Sequence, residues 1–176
     1  GEKVLPDYQF LRGDPAKASA EAKHQASGSI RIGGQEHFYL EGQVALATPG
    51  EDGEIHVHSS TQHPHGIQHL IADMLCLPQA DVVCECRRMG GAFGGKESQA
   101  AQWACLAALA ARITGVAVKV RLDRDDDMIM TGKRHDMLAT YAYSHDEDGR
   151  LRSVDVEFNA RCGYSADLSL GICDRT

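Results

Sequence analysis

The segment 90–97 near the middle of the chain constrains the fold more than any other. It reads Gly-Gly-Ala-Phe-Gly-Gly-Lys-Glu, so four glycines and an alanine surround Phe93, and Lys96 and Glu97 follow directly. Glycine lacks a Cβ, which lets the backbone adopt positive φ and lets another group approach it closely. We call this segment the glycine loop. Its composition predicts a ligand-binding loop rather than a plain turn.

The glycine loop lies between a predicted strand over 81–88 and a predicted helix over 98–114. Alternating apolar residues indicate the strand, and an Ala- and Leu-rich stretch without Gly or Pro indicates the helix. Such an arrangement points backbone N–H groups and a helix dipole at an anion. The P-loop pattern G-x-x-x-x-G-K is present, but Glu97 occupies the position of its Ser or Thr, which argues against nucleotide binding.

Length and charge limit the class of protein. A chain of 176 residues with 43% hydrophobic and 24% charged residues is typical of one soluble globular domain. The net charge of −7 and the lack of a basic run argue against nucleic-acid binding. No apolar stretch predicts a membrane span or a signal peptide, so we expect a cytoplasmic protein. The six cysteines are then expected to be free thiols.

Hydrophobic periodicity predicts an α+β fold, with a mixed or antiparallel sheet and packed helices, and from residue 38 onward the elements follow the order β-β-α-β-α-β-α-β-β. We expect an N-terminal segment over 1–27 and a partial domain over 28–176 that belongs to a longer protein, because no helix or strand closes the chain. The strands are predicted over 28–32, 38–47, 54–60, 81–88, 118–122, 137–143 and 151–159, and the helices over 14–22, 64–75, 98–114 and 123–130.

Two groups of side chains have the composition of metal ligands. Asp123 begins a stretch with four aspartates, and the histidine pairs His56/His58 and His65/His69 have strand and helix spacing. The aspartates also suit an N-capped first helical turn, and the histidines also suit polar faces. We favour these interpretations and expect no metal bound directly by protein ligands.

Five motifs occur in a fixed order along the chain. Together they resemble the molybdenum-binding subunit of bacterial xanthine dehydrogenases, in the xanthine dehydrogenase and aldehyde oxidase family, and the resemblance extends from Gly28 onward. The motifs are 33–41 (GGQEHFYLE), 59–64 (SSTQHP), 88–98 (RMGGAFGGKES), 123–128 (DRDDDM) and 131–135 (TGKRH).

The resemblance implies hydroxylation of a carbon of a purine (xanthine or hypoxanthine), with water as the oxygen source. It implies a molybdenum–pterin cofactor whose sulfur ligands come from the pterin. Electrons would leave through iron–sulfur clusters and FAD on a partner polypeptide. His63 and Pro64 after Gln62, and Glu97 after the loop, favour a purine over an aldehyde, because Glu97 suits a hydrogen-bonding heterocycle. An aldehyde-oxidising relative and a non-catalytic assembly module are the alternatives.

The resemblance also implies site residues. Gln62 matches a glutamine beside the molybdenum oxo group, and Phe93 and Gly94 match the loop that lines the cofactor. Glu97 and Arg175 match substrate-binding residues, a carboxylate that bonds the purine ring and an arginine that steadies developing negative charge.

The chain departs from the family pattern in ways that bear on activity. Ala92 replaces a glycine of many relatives and requires negative φ or strain. The glutamate base of the family lies beyond Thr176, so no catalytic residue is expected in this chain, which should be inactive alone. Apolar surface left exposed by an incomplete domain predicts self-association.

Overall fold

The computed structural model describes residues 3–175. The chain divides into two compact units, one formed by residues 36–133 and the other by the segments before and after it. In chain order the elements are α1 (Pro15–Glu21), β1 (His24–Ile32), β2 (Val44–Pro49), β3 (Ile55–Ser59), α2 (Pro64–Leu75), β4 (Val82–Glu85), α3 (Ala100–Thr114), β5 (Val118–Arg121), α4 (Arg124–Met130), β6 (Asp136–His145), β7 (Leu151–Arg161) and α5 (Ser169–Cys173).

The unit 36–133 contains a mixed four-stranded sheet in the order β4-β3-β2-β5. Strand β2 is antiparallel to β3 and β5, and β4 is parallel to β3. Helix α3 packs on β2, β3 and β5, and α2 packs on α3 and β4. The inner face of α3 is made of alanines, including Ala104, Ala107, Ala108 and Ala111, which are fully buried. Their small side chains let the helix lie close to the sheet.

Helix α2 has the bounds predicted from the sequence. Its apolar stripe is buried only in part, because Ile67 and Ile71 join the core whereas Leu70 and Met74 are half exposed. The helix ends where Cys76 adopts the left-handed conformation.

The second unit is built on an antiparallel sheet in the order β1-β6-β7. Ile30, Ala139 and Phe158 are paired across the three strands and therefore share one face. Among the described residues of this unit, Ala139 is the buried apolar side chain, and the neighbouring apolar residues on its face are exposed. Gln35 and Arg134, which border the 36–133 unit, hydrogen-bond to each other through N–H of Arg134 and C=O of Gln35 at 3.0 Å.

The α+β prediction is confirmed, with mixed and antiparallel sheets and packed helices. The strand predicted over 38–47 is wrong in its first half, since β2 begins at Val44. Phe38 has a positive φ of 52°, which a strand does not allow. Tyr39 is buried, and its hydroxyl donates to Asp127 of α4. Strand β4 is shorter than predicted, and β1 begins at His24, inside the predicted N-terminal segment. The division at residues 27 and 28 stays a prediction.

The acidic stretch forms α4 as predicted, and the Asp123 side chain accepts from the N–H of Asp126 at 2.8 Å. All six cysteines are free thiols. Burial, with the neighbouring Cys86, raises the pKa of Cys84 to about 11. Within residues 3–175, no three His, Cys, Asp or Glu side chains are grouped as a metal site, and no helix has the length and apolarity that a membrane crossing requires.

Candidate functional site

The backbone of the glycine loop reverses direction around Phe93. Gly91 and Gly94 both have a φ of 92°, and Phe93 has a φ of 53°. The N–H of Gly95 donates to the carbonyl of Ala92 at 2.8 Å and closes the turn. Ala92 is buried and is not among the residues with positive φ, so it replaces glycine without strain at that position. The turn leaves the Phe93 side chain 72% exposed at its tip.

Close packing explains why Gly95 has no side chain. A Cβ at this position would lie 2.7 Å from Cε1 of Tyr39 and 2.8 Å from Cγ of His37. Real Cβ atoms essentially never approach other atoms so closely, so the loop can lie against Tyr39 only with glycine here.

Gln62 is anchored to the backbone of the loop. Its own N–H donates to the carbonyl of Lys96 at 3.0 Å, and its Oε1 accepts from the N–H of Lys96 at 3.2 Å. Because Oε1 is an acceptor here, the other end of the planar amide, Nε2, carries two donors directed elsewhere. Within the described residues no hydrogen bond from Nε2 is present, and the residue is exposed.

Lys96 is the buried charge beneath the loop. Its side chain is 0% exposed, and Nζ donates to the carbonyl of Glu41 and to Oγ of Ser60, each at 2.7 Å. Nζ also lies 4.5 Å from the centre of the Tyr39 ring. Burial lowers the pKa of Lys96, and the charges of Glu41 and Asp127 oppose part of that effect. An ammonium that points into the protein cannot reach phosphates outside the loop, which agrees with the argument against a P-loop.

Glu41 binds the opposite end of the loop. Its Oε2 accepts from the N–H of Gly90 and from the Ser60 hydroxyl, each at 2.8 Å, and lies 3.6 Å from Nζ of Lys96. Burial acts to raise the pKa of Glu41, but the Gly90 N–H, the Ser60 hydroxyl and the Lys96 ammonium together lower it. The carboxylate is therefore held in its charged form.

Asp127 holds two residues that contact the glycine loop, Tyr39 and Gln43. It is buried and accepts from the Tyr39 hydroxyl at 2.6 Å and from the N–H of Gln43 at 2.7 Å. The Gln43 amide in turn donates to the carbonyl of Gly95 at 3.0 Å. Burial, together with the bond to Asp127, raises the pKa of Tyr39 to about 12. The loop thus lies on a buried, hydrogen-bonded polar layer.

Glu97 follows the buried lysine and is exposed. Its Oε1 lies 3.8 Å from the position that a Cβ would take on Gly94, so the carboxylate extends over the loop. Glu97 precedes helix α3, which begins at Ala100 and has no acidic residue in its first turn. The bond between Gln62 and Lys96 holds the backbone at 96 in the loop instead.

Arg175 belongs to the other unit. It is exposed and lies just after α5, where its N–H donates to the carbonyl of Ile172 at 3.1 Å. Four of the predicted site residues therefore lie in one unit, namely Gln62, Phe93, Gly94 and Glu97, whereas Arg175 lies in the other.

The sequence motifs contained three of the supporting residues without revealing their roles. Glu41 and Ser60 lie inside motifs that matched the family, but nothing in their local pattern shows that they bind the loop. Asp127 belongs to the acidic stretch that was interpreted as a helix cap. One aspartate suffices for an N-cap, so the additional acidic residues were the available signal.

The fold and this loop define a domain that presents backbone N–H groups, an exposed aromatic ring and an unpartnered amide donor to a polar ligand. Such donors fit the oxygen- and nitrogen-rich edge of a pterin cofactor. A family model described as "Molybdopterin cofactor-binding domain" matches residues 2–176. The chain therefore belongs to the molybdopterin cofactor-binding domain family, which confirms the family resemblance.

Curated relatives share the sequence over nearly the whole chain. It is 44% identical over 173 residues to a xanthine dehydrogenase of Drosophila subobscura, covering 97% of this chain. It is 41% identical to a xanthine dehydrogenase/oxidase of Gallus gallus, covering 98% of this chain. In both cases the chain spans 13% of the length of the relative.

Solved structures share the fold. An aldehyde oxidoreductase from Desulfovibrio gigas superimposes with a TM-score of 0.75 at 28% identity, over 84% of this chain and 16% of that chain. A CO dehydrogenase from Oligotropha carboxidovorans has a TM-score of 0.72 at 21% identity, over 82% of this chain and 18% of that chain, and supports the fold alone.

Proposed function

We propose that the chain is the part of a molybdenum hydroxylase that carries the glycine loop against the cofactor, and that the complete enzyme oxidises a purine such as xanthine or hypoxanthine. The observation that carries this proposal is the Gln62 amide. Its Oε1 is fixed by the Lys96 N–H, so its Nε2 donors are left for a ligand next to the exposed Glu97. The names of the relatives, xanthine dehydrogenase and xanthine dehydrogenase/oxidase, support the choice of substrate.

Each residue of the site has a part in this proposal. Gln62 donates a hydrogen bond to an oxygen of the cofactor, and an amide does so without adding charge. The backbone of Phe93 and Gly94 lines the cofactor. When bound, the molybdenum–pterin group would supply the oxidation of a substrate carbon with water as the oxygen source.

Glu97 and Arg175 are proposed to bind the substrate. The Glu97 carboxylate accepts hydrogen bonds from N–H groups of a purine ring. Arg175 stabilises the negative charge that develops on the substrate. No base is assigned in this chain. We propose that the complete enzyme supplies a glutamate base, works with a partner subunit or region that carries iron–sulfur clusters and FAD, and is cytoplasmic. Relation to the bacterial form remains a prediction.

The test is to change Glu97→Ala in the complete enzyme and to measure xanthine and aldehyde turnover side by side. Loss of a hydrogen bond to a charged group costs about 1.5–3 kcal/mol, so kcat/KM for xanthine should fall about tenfold to a hundredfold. Aldehyde turnover should change little, because an aldehyde lacks the ring N–H groups. An equal loss for both substrates would contradict the role of Glu97 in binding a purine ring.

Glu51→Ala is the matched control, because Glu51 is an exposed carboxylate in the same unit, in the turn between β2 and β3. It should leave both activities unchanged. If xanthine turnover also survives Gln62→Ala and Arg175→Ala unchanged, the site assignment is wrong.

A second candidate function is self-association of the chain. Ile30, Tyr141, Val156 and Phe158 are cross-strand neighbours on one face of the β1-β6-β7 sheet, and all four are exposed. A contiguous apolar face of this kind favours association. Light scattering of the chain should show oligomers that Phe158→Glu reduces. Asn159→Glu, on the opposite face of the same strand, should leave them unchanged, and a strictly monomeric chain contradicts the idea.

A further inference from the structure

The two ends of the glycine loop are bound by one pair of side chains. At the first end, Oε2 of Glu41 accepts the N–H of Gly90 at 2.8 Å. At the second end, Nζ of Lys96 donates to the carbonyl of Glu41 at 2.7 Å. Ser60 joins the pair, because its Oγ lies 2.7 Å from Nζ and 2.8 Å from Oε2. We call Glu41, Ser60 and Lys96 the loop clasp.

The donor and the acceptor of each hydrogen bond in the loop clasp can be assigned in only one way. The Lys96 ammonium has only donors, so Ser60 Oγ must accept from it, and the single Ser60 proton must then be donated to the Glu41 carboxylate. That carboxylate also accepts from the Gly90 N–H. Bonds between a charged group and a neutral partner are stronger than neutral ones, and Lys96 is 0% exposed, so water competes little for its donors.

Lys96 connects the loop clasp to Gln62. Its carbonyl accepts from the N–H of Gln62 at 3.0 Å and from Oγ1 of Thr61 at 3.1 Å, and its N–H donates to Oε1 of Gln62 at 3.2 Å. The side chain of Lys96 therefore fixes the peptide groups that orient the Gln62 amide. A displacement of Lys96 would turn the Nε2 donors of Gln62.

We propose that Lys96 and Glu41 are positioning residues: through the loop clasp they hold the glycine loop and fix the direction of the Gln62 amide. This inference rests on the proposed function for the role of Gln62. It assigns Lys96 no contact with cofactor or substrate, because its ammonium is buried on the inner side of the loop.

The test uses Lys96→Met in the complete enzyme, a change that keeps an unbranched side chain one atom shorter and removes its charge and donors. Hydrogen exchange followed by mass spectrometry should show faster exchange at 60–62 and 90–97, with exchange elsewhere in the unit unchanged. The kcat/KM for xanthine should fall about tenfold. In a background that carries Gln62→Ala, the same substitution should cost less than twofold, because a residue that acts through Gln62 has nothing left to orient.

Lys133→Met is the matched control. Lys133 also pairs with a carboxylate in this unit, since its Nζ lies 2.9 Å from Oε2 of Glu36, but its other bond, to the carbonyl of Thr131, does not reach the loop either. It should change neither loop exchange nor turnover. Where Lys96→Met does not fold, Ser60→Ala removes the bridging hydroxyl with a smaller change. It should also speed hydrogen exchange at 60–62 and 90–97, and its loss in kcat/KM should likewise shrink in the Gln62→Ala background.

Unchanged loop exchange in a folded Lys96→Met or Ser60→Ala enzyme overturns the loop clasp. Equal losses with and without Gln62→Ala overturn the positioning role, because a general loss of structure adds to any other substitution. If Gln62→Ala alone leaves turnover unchanged, the proposed function of Gln62 fails, and the exchange measurement still decides whether the loop clasp holds the loop.

Discussion

At the scale of single residues, Tyr39 contacts two buried charged side chains, Lys96 and Asp127. The Lys96 ammonium lies 4.5 Å from the centre of its ring, and its hydroxyl donates to Asp127 at 2.6 Å. The hydroxyl also accepts from the Gln43 amide at 3.0 Å. A protonated phenol satisfies all three neighbours, whereas a phenolate would face the Asp127 carboxylate without a proton between them. Burial is the main cause of the raised pKa of Tyr39, and the bond to Asp127 adds to it.

The pKa of Tyr39 predicts a loss of stability at alkaline pH. Folding raises this pKa from 10.0 to about 12, so the folded chain keeps a proton that the unfolded chain releases between these values. The contribution of Tyr39 is complete below pH 10 and declines as pH rises toward 12, by up to about 3 kcal/mol. Urea unfolding at pH 8 to 11.5 should show the stability advantage over Tyr39→Phe shrinking with pH.

Tyr8→Phe is the control for this titration, because Tyr8 is an exposed phenol, and its free energy of unfolding should match that of the unmodified chain within about 0.5 kcal/mol. An advantage over Tyr39→Phe that stays constant up to pH 11.5 would contradict the raised pKa.

The sequence predicted some residues of the site but not the contacts that hold them in place. Gln62, Phe93 and Glu97 stood in motifs, and the structure leaves all three exposed. Lys96 was visible in the loop, but its partner Glu41 lies 55 positions away in the chain. No local pattern encodes such a contact, because it arises only when β2 and β3 bring their neighbouring segments beneath the loop.

At the scale of elements, the glycine loop depends on two different properties of its glycines. Gly91 and Gly94 supply positive φ, whereas Gly95 supplies the space that Tyr39 and His37 occupy. A side chain at Gly95 meets rings, and Tyr39 cannot withdraw without breaking its bond to Asp127.

Gly95→Ala should therefore destabilise the chain by about 1–3 kcal/mol, the usual cost of overpacking a close contact. Gly33→Ala is the matched control, since a Cβ there meets nothing within 4 Å and Gly33 is not among the glycines with positive φ. It should change the free energy of unfolding by less than about 0.5 kcal/mol in urea denaturation. Equal effects of the two substitutions would show that the close approach to Tyr39 is not limiting.

Elements with strong local signals were predicted well. Helix α2 begins with Pro64 at its first position, and the hairpin of β6 and β7 surrounds a turn in which Gly149 has a φ of 77°. The segment 38–43 was misassigned as strand because its aromatic residues have strand propensity. Tertiary contacts of Tyr39 and Gln43 with Asp127 override that propensity.

At the scale of the whole molecule, the two units differ in how much apolar surface they bury. Apart from Ala139, every buried apolar side chain among the described residues belongs to the unit 36–133. Backbone hydrogen bonds are plentiful in both units, as the long pairing of β6 with β7 shows. Burial is the larger source of stability, so the units should differ in resistance to unfolding.

Native-state hydrogen exchange should reveal this difference. Amides of β2, β3 and α3 should open with a free energy at least about 2 kcal/mol higher than amides of β1, β6 and β7. Residues 36–133 expressed alone should still unfold cooperatively in urea. Equal opening free energies in both units would show instead that the chain is one cooperative structure.

The pairing of Gln35 with Arg134 has a consequence for the order of assembly. These residues are 99 positions apart, and β1 and β6 continue from them as partners. In an unfolded chain, joining β1 to β6 would require closing a loop of that length, at an entropic cost of about 4 kcal/mol. The Glu36–Lys133 contact already brings the two ends of the intervening segment together once that segment has formed. The pairing of β1 with β6 should consequently form last, and a refolding experiment should detect it as a later phase.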